Sequence, residues 1–495
     1  MYGEDQIHNV PKTSKACLLI IIPFVLIIFL LSLTPVIERD ALIHHLALPK
    51  IWLKKGIFHV DSFRIFAFYP SNIQVLYYLA LKINLEFLPK FIHSSFLILT
   101  AILIYNYIKR NIDNKYFSIL AFILIITIPI NQRLASESYV DLGLLFFSTL
   151  SLIYFLKWKN SRFDKKRYLY ISAIGSGLAF GTKYNGISSL VIINLFVIFS
   201  YARESKENIK PIFYGLQFFI ISFLLTSPWL IRNYYASGGN PFYPLFDSVL
   251  PNNLKITEPL YAADYSELLF RRASGESHIN ILLLPFRLFF TGEDNNFLQF
   301  DGKLNPMMLL LLPVPFIPFF EKKSRAFYST NKQSNFSSDK KYILIFSFFI
   351  LFTSMQNTIR IRYAIPIVAS MVILNIIAIH RILYFPKKIV VYIGYISIAF
   401  YLGYNISYTF EIFDRLSIYK YISFHETKKD YLKRKLYLYE MYEFINNKTP
   451  QYATIYDILC GKRSYYVDRE YVYDLRVLDT YFIIILIKTD NLLHI

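Results

Sequence analysis

The sequence predicts an all-α polytopic membrane protein of about 11 transmembrane helices, followed by a small extracytoplasmic α/β domain. Three observations predict it. Of 495 residues, 55% are hydrophobic and only 18% are charged, whereas soluble domains run near about 45–50% apolar and about 25% charged. The apolar residues fall in runs long enough to cross a hydrocarbon core of about 30 Å. Lysines and arginines gather in alternate loops, as the positive-inside bias requires. A soluble enzyme, a coiled coil and a disordered chain are excluded.

The first run, 17–36, follows Lys12 and Lys15 and has no small-residue cleavage site, so it reads as an uncleaved helix rather than a signal peptide. Further spans are expected at 91–108, 115–132, 139–156, 169–182, 184–201, 211–231, 306–320, 342–356, 363–380 and 389–409. The segment 71–89 is also apolar. As a span it would invert the charge pattern, so it is read as interfacial or re-entrant. With the N-terminus cytoplasmic, the inner loops hold 23 basic residues in 73 positions, against 17 in 141 outer positions before the tail. That contrast fixes the parity.

The net charge of +19 is therefore largely cytoplasmic loop charge, not a nucleic-acid surface. Cys17 and Cys460 lie too far apart in sequence to read as a disulfide framework or a metal site. Residues 1–409 form the transmembrane catalytic domain, with large outer loops at 37–90 and 232–305. Residues 410–495 form the extracytoplasmic C-terminal domain. Within it, Lys428 to Asn447 has helical spacing, Tyr465–Tyr473 alternates like a strand, and Tyr481–Ile487 reads as a buried strand. Lys428, Lys429, Lys433, Arg434 and Lys435 read as the wet face of that helix.

The chemistry is expected in the outer loops. The first opens with Glu38-Arg39-Asp40-Ala41-Leu42-Ile43-His44-His45, and charges at a membrane boundary are functional candidates because desolvating them is costly. On the derived topology Asp40, Glu137, Asp141, Lys183, Arg232, Arg360 and Arg362 all reach the outer side. Glu137 and Asp141 are four apart, as are Asp40 and His44, so each pair would share a helical face. His278, Glu293, Asp294 and Asp301 in the second loop are acceptor candidates that nothing ranks. No cofactor is required by the sequence. A divalent metal ion stays open, with Asp40, His44 and His45 as its ligands.

The stretch Asp40–Lys50, followed by Tyr69-Pro70-Ser71-Asn72, resembles the first outer loop of GT-C integral-membrane glycosyltransferases. The similarity is to the branch of protein O-mannosyltransferases and the lipid A aminoarabinose transferase. Further matches keep that order: Ser138-Tyr139-Val140-Asp141, Gly177 to Tyr184, Pro228-Trp229-Leu230-Ile231-Arg232-Asn233, Gly239 to Pro244, and Arg362-Tyr363-Ala364-Ile365-Pro366. The resemblance covers roughly residues 38–370. The acidic pair here is Glu38-x-Asp40, where the mannosyltransferases have an Asp-Glu form.

The resemblance implies a polyprenyl-phosphate sugar as donor. The topology agrees, because nucleotide sugars are not available outside the cell membrane. Such a transfer needs a base for the acceptor hydroxyl and cations for the leaving phosphate. The expectation is an inverting glycosyltransferase at the outer face of the cytoplasmic membrane, acting on a lipid, glycan or protein acceptor. Asp40, with Glu38, is the expected catalytic acid–base group. Lys183, Arg232 and Arg362 are expected to hold the phosphate, with Tyr184, Asn233, His45, Asp141 and Glu137 as further substrate contacts. The rivals are a transporter or flippase for a lipid-linked sugar and an envelope polysaccharide polymerase or ligase. A transporter should carry charges at the bilayer midplane; here they sit at helix ends.

Overall fold

The computed structural model describes residues 12–61, 64–112, 114–205, 207, 209–254, 271–318, 330–355, 359–457 and 461–473. The chain begins with α1 (Lys12–Leu31), makes a π-helical turn at Ala41–His45, and continues into α2 (Ala47–Lys55). The 11-residue α3 (Asn72–Lys82) rises only about 16 Å, half of a bilayer core. This is the segment expected to be interfacial or re-entrant. The bundle then builds from α4 (Leu88–Asn111), α5 (Lys115–Thr127), α6 (Pro129–Ala135), α7 (Asp141–Asn160), α8 (Lys166–Thr182), α9 (Ile187–Ser205) and α10 (Lys210–Ser237).

Helices α5 and α6 meet at 61°. Pro129 at the first position of α6 has no N–H to continue the ladder, and Ile128 before it is extended at ψ 131°. The second large loop carries the short α11 (His278–Leu282) and α12 (Leu284–Arg287). Beyond it come α13 (Met307–Leu310), α14 (Thr330–Ser354), α15 (Pro366–Leu383) and α16 (Lys388–Leu416). In α15 94% of the apolar window is buried, against 17% in α16. So α15 runs through the middle of the bundle and α16 along its outside.

Among the described residues six helices are long and apolar enough to cross a membrane, and seven if α5 and α6 count as one span. The eleven expected runs therefore do not all become full-length helices. Residues 169–182 lie in the 17-residue α8, and the described part of 306–320 carries a short apolar stretch, Met307–Phe316, made of α13 and a 3₁₀ turn at Val314–Phe316. Hydropathy registers an apolar run without registering the turns inside it.

Small residues explain the closest approach in the bundle. A Cβ on Gly175 would lie 2.9 Å from the backbone of Phe147 and Ser151, and one on Gly177 would lie 2.4 Å from the Ser222 carbonyl. Into that space go hydrogen bonds of 2.7 Å from Ser151 to the Ser172 carbonyl and 2.8 Å from Ser222 to the Ala173 carbonyl.

After α16 the tail forms α17 (Ile418–Ile422), α18 (Lys428–Lys435), α19 (Tyr439–Lys448) and two parallel strands, β1 (Thr454–Asp457) and β2 (Glu470–Tyr473). The expected single helix from Lys428 to Asn447 is thus two, broken at Leu436–Leu438, and only Glu470–Tyr473 of the expected strand at 465–473 pairs. Tyr481–Ile487, Cys460 and the side chain of Cys17 lie outside the described residues. The basic face of α18 is matched by acidic neighbours: Lys428 with Glu86, Lys429 with Glu443 at 2.7 Å, and Arg434 with Glu426 at 2.6 Å. The tail rests on the first loop. Lys50 donates to the Tyr465 carbonyl and pairs with Asp468, both at 2.7 Å, and Arg64 donates to the Tyr471 carbonyl at 2.7 Å.

Candidate active site

Asp40 stands at the start of the π-helical turn that follows the first span, its side chain making no capping bond to that turn. Its Oδ2 accepts from Arg362 Nη2 at 2.6 Å, with the arginine side chain 5% exposed and the aspartate 21%. Arg362 comes from the 3₁₀ turn Ile361–Ala364 that leads into α15. A second pair stands beside the first. Lys183, extended between α8 and the turn at Tyr184–Gly186, donates to Asp141 Oδ1 at 2.8 Å. Asp141 is the first residue of α7, where the unpaired amides of a helix N-terminus favour a carboxylate. The ring of Tyr363 lies between the two cations, 4.6 Å from Lys183 Nζ and 5.2 Å from the Arg362 guanidinium.

Electrostatics differ among the titratable groups here. Burial pushes Asp40 up, but the Arg362 guanidinium together with His44 and His45 outweighs it and holds the carboxyl well below the usual carboxylate range. Burial pushes His44 down to about 4 against the pull of Asp40, and pushes His45 down as well. Of the charges that lower Asp40, Arg362 exerts the largest pull. Burial raises Glu137 to about 7, with Arg133 opposing and Glu38 adding to the rise.

A second group borders this one through a chain of ring contacts, one stacked and two edge-to-face. His44 stacks on Phe66 at 4.5 Å, Phe66 meets Tyr69 at 5.5 Å, and Tyr69 meets Tyr184 at 5.4 Å. Tyr184 OH accepts from Asn233 at 3.1 Å, and Arg232 Nη2 donates to the Tyr69 carbonyl at 3.2 Å and to Asn233 Oδ1 at 3.0 Å. Arg232 is 7% exposed, its Nη1 is buried without a partner, and no carboxylate among the described residues pairs with it. Lys183 and Arg362, by contrast, each face an acid.

A third group ties the second large loop to the core. Arg133 of α6 contacts Glu137 at 3.1 Å, Asp301 at 2.9 Å and Asp294 at 3.3 Å, while Asp294 also binds Arg415 and the Tyr408 hydroxyl, both at 2.5 Å.

With this geometry in view, comparisons with known proteins carry weight. Residues 81–237 match the dolichyl-phosphate-mannose-protein mannosyltransferase family. No curated protein has significant sequence similarity to the chain. Among solved structures, ArnT from Cupriavidus metallidurans bound to undecaprenyl phosphate superimposes with a TM-score of 0.55 at 11% identity, covering 94% of this chain and 86% of that one. Its apo state gives 0.57 at 11% identity, covering 93% and 86%. The chain has the fold of a GT-C membrane glycosyltransferase. The apo oligosaccharyltransferase of Archaeoglobus fulgidus agrees, with a TM-score of 0.51 at 14% identity over 93% of this chain and 64% of that one.

Within the GT-C framework the expected residues sort unevenly. Asp40, Arg362, Asp141 and Lys183 come together as two adjoining ion pairs, and Arg232, Asn233 and Tyr184 form the neighbouring group. Glu38 does not join Asp40: it is taken up by Lys90 at 2.7 Å, a pair almost wholly inside the protein. Glu137 and Asp141 do not share a helical face, because α7 begins only at Asp141; Glu137 faces Arg133 and Asp141 faces Lys183. The metal set is not assembled either. Asp40 turns to Arg362, His45 to Gln74 at 3.2 Å and His44 to Phe66, and no group of three such ligands forms among the described residues.

In the second loop Asp294 and Asp301 are structural partners of Arg133, while His278 and Glu293 are exposed. Arg133, Lys90 and His93 escaped the sequence reading, and Tyr363 entered it only as part of the Arg362–Pro366 match. The first three sit within or beside apolar runs, and only their distant partners reveal them.

Proposed function

We propose that the chain transfers a sugar from a polyprenyl-phosphate-linked donor to an acceptor hydroxyl at the outer face of the cytoplasmic membrane, with inversion. The observation that carries this reading is a carboxylate, Asp40, held ionised by Arg362 at a helix end, with the Asp141–Lys183 pair adjoining it and, in the neighbouring group, a buried Arg232 that no carboxylate among the described residues neutralises. The undecaprenyl phosphate in the ArnT structure supports a lipid-phosphate carrier. The acceptor is a lipid, a glycan or a protein.

In the transfer, the acceptor oxygen bonds to the anomeric carbon while the bond from that carbon to the phosphate oxygen breaks. The acceptor proton passes to Asp40 and polyprenyl phosphate leaves. Lys183 and Arg362 are already neutralised by Asp141 and Asp40. Arg232 is not, and an unpaired buried charge costs several kcal/mol, so an incoming phosphate gains most there. A phosphate that also drew on Arg362 would loosen its hold on Asp40. The carboxylate, a weak base in the resting pair, would then grow more basic as the acceptor needs it.

The test is Asp40→Asn, assayed in membranes with a polyprenyl-phosphate sugar. With normal insertion, transfer falls by about 10²–10⁴-fold, the usual worth of a general base. Wild-type transfer by the variant would remove Asp40 from the mechanism. The flippase reading is separated by the same assay, since a flippase moves the donor across the bilayer and leaves its glycosyl bond intact.

A further inference from the structure

His93 sits in the first turns of α4, fully buried, and takes no part in the chemistry above. Its two ring nitrogens bridge the break between α6 and α7. Nδ1 lies 2.7 Å from the Glu137 carbonyl, and the Leu142 amide donates to Nε2 at 3.0 Å. Both partners are backbone groups of fixed polarity. A carbonyl only accepts and an amide only donates, so the ring is neutral with its proton on Nδ1. The groups it satisfies are those a helix break leaves over: a carbonyl just past the end of α6 and an amide in the first turn of α7.

The segment 137–142 touches the site at several points. Tyr139 OH accepts from the Asp40 amide at 3.4 Å, and its ring lies 5.1 Å from the Arg362 guanidinium. Asp141 holds Lys183. Tyr77 of α3 grips the same segment from another side, donating to the Tyr139 carbonyl at 2.5 Å. His93 thus sets, through two backbone bonds, where the Asp141–Lys183 pair and the support of Asp40 stand.

We propose that His93 is a positioning residue, a neutral imidazole latch that fixes the 137–142 segment and through it Asp40 and Lys183. The kinetic part of this inference rests on the glycosyl-transfer reading; the structural part does not. Three substitutions separate the two. His93→Phe keeps an aromatic ring and loses both bonds. His93→Gln keeps a donor and an acceptor. His93→Asn keeps a donor at the Nδ1 position for Glu137, but its shorter side chain does not reach the Leu142 amide with its carbonyl.

Hydrogen–deuterium exchange on the purified full chain reads the latch directly. In His93→Phe the peptide containing Leu142 exchanges at least about tenfold faster, while the amides of α15 keep their protection, and His93→Gln restores most of the difference. If His93→Phe does not accumulate, His93→Asn gives the same gain at Leu142. In the transfer assay kcat falls toward about 10²-fold in His93→Phe, as small misplacements of catalytic groups do, and recovers in His93→Gln. Unchanged exchange at Leu142 in both His93→Phe and His93→Asn would overturn the latch. Faster exchange with unchanged kcat and donor KM would overturn the positioning role. A wild-type chain that transfers no sugar would count against the proposed function and leave the exchange result standing.

Discussion

At the scale of single residues, the useful distinction among the site cations is whether a carboxylate already neutralises them. Lys183→Ala strands Asp141, a fully buried aspartate, without its partner, and an uncompensated buried charge destabilises by about 3–5 kcal/mol. Arg232→Gln does the opposite, removing a buried charge that has no carboxylate partner among the described residues. The expected outcome in donor-free protein is a lower melting temperature for Lys183→Ala and an equal or higher one for Arg232→Gln. Both raise donor KM, by about 10–10²-fold for the loss of one charge-assisted contact. A melting temperature that falls alike in both would mean Arg232 has a counter-charge after all. Glu137 offers a pH test. Its folded carboxyl ionises at about 7 against an ordinary value of 4.5. The stability it contributes is complete below 4.5 and lost as pH rises through about 7. Glu137→Gln cannot ionise, so its melting temperature should gain on wild type between about pH 5 and about pH 8. A constant difference over that range would show that Glu137 ionises normally.

At the scale of elements, the bundle's contacts explain what could and could not be read from one dimension. Runs such as 91–108 and 363–380 became α4 and α15 because length and hydropathy suffice to define a helix in lipid. The Gly-rich stretch 177–184 was legible as a motif, but its packing role needed the facing helices. Gly177→Ala puts a methyl 2.4 Å from the Ser222 carbonyl and 2.8 Å from its Cα, and overpacking of this kind costs about 1–3 kcal/mol. Gly403 of α16 has nothing within 4 Å of such a methyl. Thermal unfolding in detergent should therefore show Gly177→Ala destabilised and Gly403→Ala unchanged or slightly stabilised. Equal effects would mean that α8 and α10 do not approach this closely. The same dependence on distant partners explains the site. Asp40, Asp141, Lys183 and Arg362 could be found from sequence because each marks an end of an apolar run. Lys90 and Arg133 also flank apolar runs, but apart from Glu137 beside Arg133 their carboxylates lie on distant segments, Glu38 at the end of the first run and Asp294 and Asp301 in the second large loop.

At the scale of the whole molecule, α7 has two chemically different ends. Its first residue, Asp141, belongs to the site, and its last turn carries Lys159, paired at 2.8 Å with Asp339, which also accepts from Asn160 and Tyr107 at 2.9 Å. Twenty residues separate the ends, about 30 Å at 1.5 Å per residue and so the depth of a bilayer core. Around the Lys159 end gather Lys157, Arg162, Lys165, Lys166 and Arg167, a density of positive charge that the positive-inside bias assigns to the cytoplasm. The site end would then face outward, where only a lipid-linked donor is at hand. Reporter fusions decide this without any assay of transfer. A phosphatase fused after Asn240, at the site end of α10, should be active only if that end is extracytoplasmic. A fluorescent protein that matures only in the cytoplasm should light after Lys165. Both reporters on one side would break the parity of α8 to α10, and reversed signals would place the site in the cytoplasm. There nucleotide sugars are available, and the case for a polyprenyl-phosphate donor would lose its topological support.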